Sequence, residues 1–143
     1  MVNSIRKGKS FERTIAKHLT QTTGCKWNRV PLSGGFSTRN NTTDARFDGD
    51  VFTEDEAYND IVIECKNYNS LELNDLFNFK SKLYSWITQC INESKDKEWI
   101  LFIKIKNKGE FFVVKKNYKH KLIFLLFNNN CLFFEDYIMV KIK

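Results

Sequence analysis

Paired cysteines are missing from this chain. Its four cysteines, Cys25, Cys65, Cys90 and Cys131, lie far apart and form no C-x-x-C. That spacing argues against a structural zinc site and against a disulfide framework. It suits reduced, mostly buried thiols in a cytoplasmic protein. Histidine is scarce too. His18 and His120 stand far apart, and His120 sits in a basic stretch, so neither offers a nucleophile a partner. Long apolar runs are also absent. The longest, "LIFLLF" at 122–127, is too short to span a bilayer and reads as a buried strand. The basic N-terminal segment has no apolar stretch behind it, so no secretory signal is expected. No strongly amphipathic basic helix argues for a membrane surface. No internal repeat or low-complexity linker divides the 143 residues, so a single domain over 1–143 is expected.

What is present is apolar and basic. The chain is 42% hydrophobic and holds thirteen Phe, far from the signature of disorder. A net charge of +6 favours a polyanionic partner, nucleic acid or an acidic membrane. Phe111, Phe112, Phe124, Phe127, Phe133 and Phe134 sit in continuous apolar runs. They read as core or dimer interface rather than as a platform for stacked bases. The abundance of Asn, Lys and Phe suits an AT-rich genome, a viral one included.

Residues 9–23 carry a helical pattern, with Ser10 as N-cap, Phe11, Ile15 and Leu19 as the apolar stripe, and Gly24 after the end. "CKWNRV" alternates like a strand. "PLSGGFSTRNNTTDARF", 31–47, is a long polar loop holding the only proline, and loops of that length are often functional. "DGDVFT" and "DIVIECK" read as strands joined by an acidic turn. Residues 70–95 are expected to form a second helix with Leu73, Leu76, Phe77, Leu83, Ile87 and Ile91 buried. "WILFIKIK" and "EFFVVKK" form a hairpin around "NKGE", and short strands follow near 121–127, 131–135 and 138–142. The order predicts an α/β fold, a central mixed β-sheet flanked by helices.

One strand ends in unusual chemistry. In "IVIECKNY" (61–68), alternation puts Glu64 and Lys66 on one face and Ile63 and Cys65 on the other. A turn centred near Ala57 sets Asp50 opposite Glu64 and Asp48 opposite Lys66. Directly opposed carboxylates are destabilising unless a cation lies between them. A hard divalent ion such as Mg²⁺ fits, since it takes one or two carboxylates with water and substrate phosphate. Lys66 is then placed to orient a water nucleophile or to neutralise charge on a phosphate. An E-x-K triplet alone is equally an ordinary salt-bridged strand end. Three features add weight. Glu12 borders the apolar stripe of the first helix. Arg6, Lys7 and Lys9 crowd a helix N-terminus, where cations are disfavoured unless they meet phosphate. A Gly-Gly loop between Arg29 and Arg39 can approach a backbone, with Ser33 and Ser37 as donors to phosphate.

This set resembles the PD-(D/E)xK nuclease superfamily, and within it the archaeal-type Holliday junction resolvases, which also occur in phages. The matching pieces are Lys7-Gly8 with Glu12, "RVPLSGG" with Ser33, Asp50-Val51, and Glu64-Cys65-Lys66, spread over residues 5–68. Gly49 stands where that family has Pro, and Asp48 competes for the first-acid role. Gln89 in "WITQC" is similar to a Gln on the helix after E-x-K in related nucleases. The Phe-rich C-terminal half carries no family motif.

The resemblance implies a restriction-endonuclease-like nuclease core and Mg²⁺-dependent hydrolysis of DNA, with Mn²⁺ as a possible substitute. It implies that Glu12, Asp50, Glu64 and the Cys65 backbone carbonyl hold metal, that Lys66 assists, and that Ser33 lies near the scissile phosphate. Arg6, Lys7, Lys9, Arg29, Ser33 and Arg39 are the expected DNA contacts. The expected partner is branched DNA, a four-way junction cut by a homodimer to leave 5′-phosphate ends, in recombination and repair. Two alternatives stay open: a restriction or nicking endonuclease on the same core, and a DNA-binding protein without catalysis.

Overall fold

A computed structural model of the chain describes residues 4–31 and 48–142. Ser33, Ser37 and Arg39 lie outside the described residues, so their expected roles are not addressed by the structure. The elements run α1 (Ser4–Thr23), β1 (Trp27–Arg29), β2 (Val51–Thr53), β3 (Ile61–Tyr68), α2 (Lys82–Ser94), β4 (Glu98–Ile105), β5 (Gly109–Lys115), α3 (Lys121–Leu126), β6 (Cys131–Phe134) and β7 (Tyr137–Lys141). Short 3₁₀ turns occupy Glu56–Tyr58 and Leu73–Leu76.

The seven strands form one sheet in the order β1-β2-β3-β4-β5-β7-β6. Only β3 and β4 pair in parallel, with Ile63 beside Ile100 and Lys66 beside Ile103; the rest are antiparallel. A parallel pair needs a crossover, and α2 supplies it. The sheet is covered on both faces. Phe11, Ile15 and Leu19 of α1 and Leu122 and Ile123 of α3 pack on Ile63, Cys65, Phe102 and Phe112. Leu83, Ile87 and Cys90 of α2 pack on Val62, Leu101, Ile103 and Val113. Burial on both faces explains why β3 and β4 read as continuous apolar runs rather than as alternation. The expected α/β architecture, a mixed sheet flanked by helices and consistent with a restriction-endonuclease-like core, is the one observed.

Three elements differ from the sequence reading. The first helix begins at Ser4, so Ser10 lies inside it and is not its cap. Its first turns are tied down by distant residues: the Asn67 side-chain amide donates to the Lys7 carbonyl at 3.2 Å, and Lys7 Nζ reaches Asn69 at 3.5 Å. The helix expected over 70–95 is broken. Asn78 Oδ1 accepts from the Lys80 N–H at 3.0 Å, a local turn that competes with helix, and α2 starts only after Ser81. Leu73 and Phe77 are consequently exposed, and Ile91 is exposed on the outer side of α2, whereas Leu76, Leu83 and Ile87 are buried. "LIFLLF" is helix rather than strand, and His120 caps it: its Nδ1 accepts from the Leu122 N–H at 3.1 Å. A short apolar run does not distinguish strand from helix by period. Of the Phe-rich segments, Phe112 and Phe134 are core, while Phe124 and Phe133 are exposed.

The β4–β5 hairpin forms as expected. Asn107 and Gly109 both take positive φ, at 66° and 109°, which is the backbone a tight turn requires.

Candidate active site

The site grows from the β2–β3 pair. Val51 pairs with Ile63, a register centred on Ala57. Asp50 lies just before β2 and reaches Glu64 through its side chain rather than through a ladder pair, and Asp48 meets Lys95 rather than Lys66. Two hydrogen bonds hold that approach. The Asp50 N–H donates to the Ile63 carbonyl at 2.7 Å, and the Cys65 N–H donates to Asp50 Oδ2 at 2.8 Å. Gly49 permits it: a Cβ there would lie 2.5 Å from the Ile63 carbonyl oxygen. The glycine at this position is therefore required by contact with β3, whatever a related protein carries there.

Glu64 and Lys66 share the face of β3 that α2 covers, together with Val62. Glu64 is only 3% exposed. Burial raises its pKa far above the carboxylate range, and a hydrogen bond with Glu93 and the charges of Asp50 and Glu93 push the same way. Glu93, on α2, was not among the residues singled out from the sequence. Neither its residue type nor its neighbours mark it; its one signal is that it lies one helical turn beyond Gln89.

Gln89 links the two ends of the E-x-K. Lys66 Nζ donates to Gln89 Oε1 at 2.8 Å, and Gln89 Nε2 donates to Glu93 Oε1 at 3.0 Å. A chain of polar contacts thus runs Lys66–Gln89–Glu93–Glu64. It fixes which side of the Gln89 amide faces the ammonium. Cys65 points to the opposite, α1 face. Its thiol is pushed well up, first by burial and then by the charges of Asp50, Glu12 and Glu64. Cys90 on α2 is raised by burial and by Glu64 and Glu93. Neither thiol is a ready nucleophile.

The remaining expected residues are distributed around this centre. Glu12 is buried on α1, on the Cys65 side of the sheet, where Arg29 Nε lies 3.1 Å from its Oε1. Arg29 is thus engaged by Glu12 and only partly open to solvent. Asp48 makes an ion pair with Lys95 at 3.8 Å. Lys7 lies against Asn67 and Asn69, just beyond Lys66, which brings the basic first turns of α1 beside the site.

Among the described residues, no three His, Cys, Asp or Glu side chains stand in a ready ligating arrangement. The donor chemistry nonetheless fits a hard divalent cation. Asp50 and Glu64 are carboxylates forced together in a buried setting, and burial and like charge both oppose ionisation of Glu64. A divalent ion reverses that opposition.

No curated protein and no solved structure matches the chain. The family described as "Phage putative PDDEXK endonuclease" matches residues 3–142. That match spans both β2 and β3, with Asp50 just before β2 and Glu64 and Lys66 on β3. The chain belongs to the phage PDDEXK endonuclease family.

Proposed function

We propose that the protein is a divalent-metal-dependent, structure-specific DNA endonuclease, acting as a Holliday junction resolvase in a single nuclease domain over 1–143. The observation that carries the chemistry is the buried Glu64, set against Asp50 and Glu93 with Lys66 two residues along the same strand face. Asp50, Glu64 and the Cys65 carbonyl would hold Mg²⁺, or Mn²⁺ in its place. That ion, when bound, supplies Lewis-acid polarisation of the scissile phosphate and acidifies a water.

The chain's own groups do the rest. Gln89 orients the Lys66 ammonium, which neutralises charge developing on the phosphate or positions the attacking water. Glu93 orients Gln89. Arg6, Lys7 and Lys9 take the flanking phosphates, and Ser33 and Arg39 are assigned to the same strand. Glu12 keeps Arg29 beside β2 and is a metal-site candidate on the family resemblance. No helix among the described residues is long and apolar enough to cross a membrane; we place the protein in the cytoplasm, virus-encoded and acting in the host cell.

A four-way junction needs two symmetry-related cuts, which a two-fold homodimer provides. The test is incubation with a synthetic four-way junction and with its linear arms, in Mg²⁺ and in EDTA. Paired nicks on opposite strands of the junction, in Mg²⁺ only, are expected. Cutting of linear duplex at one defined sequence by a monomer would replace the resolvase with a restriction-type enzyme. Undiminished cutting in EDTA would remove the metal from the mechanism.

A further inference from the structure

A cleft of about 250 Å³ runs between α1 and β1. Its polar lining is Arg13, Lys17, Thr20 and Gln21 from α1, and Lys26, Asn28 and Arg29 from β1 and the turn before it. Four of these are cations, and none of the lining residues is an acid. Arg29 is engaged by Glu12. Arg13, Lys17 and Lys26 are exposed and make no ion pair among the described residues.

The arrangement works against the fold that holds it. Arg13 and Lys17 are one helical turn apart on one face, and like charges at that spacing destabilise a helix. Lys26 adds a third positive charge across the cleft. Such a cluster is relieved by an anion with several charges at regular spacing.

The cleft also has a direction. Its Arg29 end adjoins the acids: Arg29 pairs with Val51 across the sheet, and the Val30 N–H donates to the Asp50 carbonyl at 2.9 Å. Its far end lies where the Trp27 N–H meets Thr20 Oγ1 at 3.0 Å. From Arg13 to Gln21, α1 rises about 12 Å. One DNA strand places a phosphate every ~3.4 Å along the axis, so the cleft spans about three to four phosphates.

Resting on the nuclease reading above, we propose that this cleft is a second DNA-binding site, which holds the phosphate backbone of the arm leading away from the cut. The contacts are charge and amide contacts to phosphate, so they carry no base preference and add only reach. An anionic lipid surface fits less well. The apolar members of the lining, Ala16 and Trp27, are buried, and insertion into a headgroup layer needs an exposed apolar face.

The test compares wild type with an Arg13→Ala/Lys17→Ala/Lys26→Ala protein, its fold checked by thermal melting. Binding to junctions with short and with long arms is measured in EDTA across a salt series. Wild type should bind more tightly as the arms lengthen, and the variant should lose that gain. The slope of log K against log[salt] on long arms should shrink by about 3, near 0.9 per lost contact. In Mg²⁺, KM on long arms should rise more than kcat falls. Equal slopes and equal KM for the two proteins would overturn the cleft while leaving the nuclease intact. Wild type that binds no DNA would instead overturn the nuclease reading, and the cleft with it. Loss in the variant of binding to anionic vesicles, with DNA binding unchanged, would assign the cleft to lipid and also refute the proposal.

Discussion

Replacing Glu64 by Gln should stabilise the metal-free protein at neutral pH while destroying its response to Mg²⁺. In the unfolded chain a Glu ionises near 4.3. In the folded chain burial, Glu93 and Asp50 hold the Glu64 proton far above that value. The native state therefore binds about one proton more than the unfolded state from roughly pH 5 upward. Stability from this group is complete below the unfolded pKa and is lost as pH rises towards the folded pKa. The slope is at most about one proton's worth, so the loss between pH 5 and pH 7 is on the order of 2–3 kcal/mol. Gln cannot titrate, so Glu64→Gln should be free of this slope. Urea unfolding in EDTA at pH 5, 6 and 7 would measure it as the difference between the two proteins. A divalent ion binds only the folded site, so added Mg²⁺ should raise the stability of wild type and leave the variant unmoved. Parallel pH profiles in EDTA would refute the account of Glu64 as a strained, protonated acid.

Lys66→Ala should abolish cleavage of a junction while leaving its affinity in EDTA within a few-fold, because attraction to phosphate comes mainly from the basic surface; a gel-shift titration beside a cleavage assay reads both. Gln89→Ala should lower kcat by about 10- to 100-fold, the usual cost of losing a group that orients a catalytic one, and full activity would detach Gln89 from Lys66. Asp50→Asn should be inactive and Asp48→Asn only mildly impaired, since Asp48 pairs with Lys95; equal loss in single-turnover assays would show that Asp48 shares the role. Gly49→Ala should cost about 1–3 kcal/mol by overpacking against the Ile63 carbonyl, and an unchanged melting temperature would show that β2 can move away.

Part of the candidate site's geometry was legible because it is local. Residues 48–66 form a hairpin-like pair across one short connection, so the alternation of β3 and the position of the turn suffice to bring Asp50 to Glu64 and to leave Cys65 on the other face. The E-x-K motif needs only the two-residue period of a strand. The α1 stripe was equally plain, because Phe11, Ile15 and Leu19 fall at helical spacing and all are buried.

What lay outside the sequence was decided by packing between elements distant in the chain. Glu93 reaches Glu64 only because Leu83, Ile87 and Cys90 seat α2 on the β3 face that carries the acid. A helical period shows which side of α2 is apolar, but not which strand that side will cover. Arg29 reads as a DNA contact in isolation, and Glu12 as an acid near the site; their mutual pairing depends on how α1 lies against β1. "LIFLLF" fits strand or helix by its local pattern, and in the folded chain it is a helix capped by His120. Hydrophobic alternation and turn chemistry act over a few residues and are written in the chain directly. Which buried charge meets which depends on the docking of whole helices on the sheet, and only the folded structure specifies that.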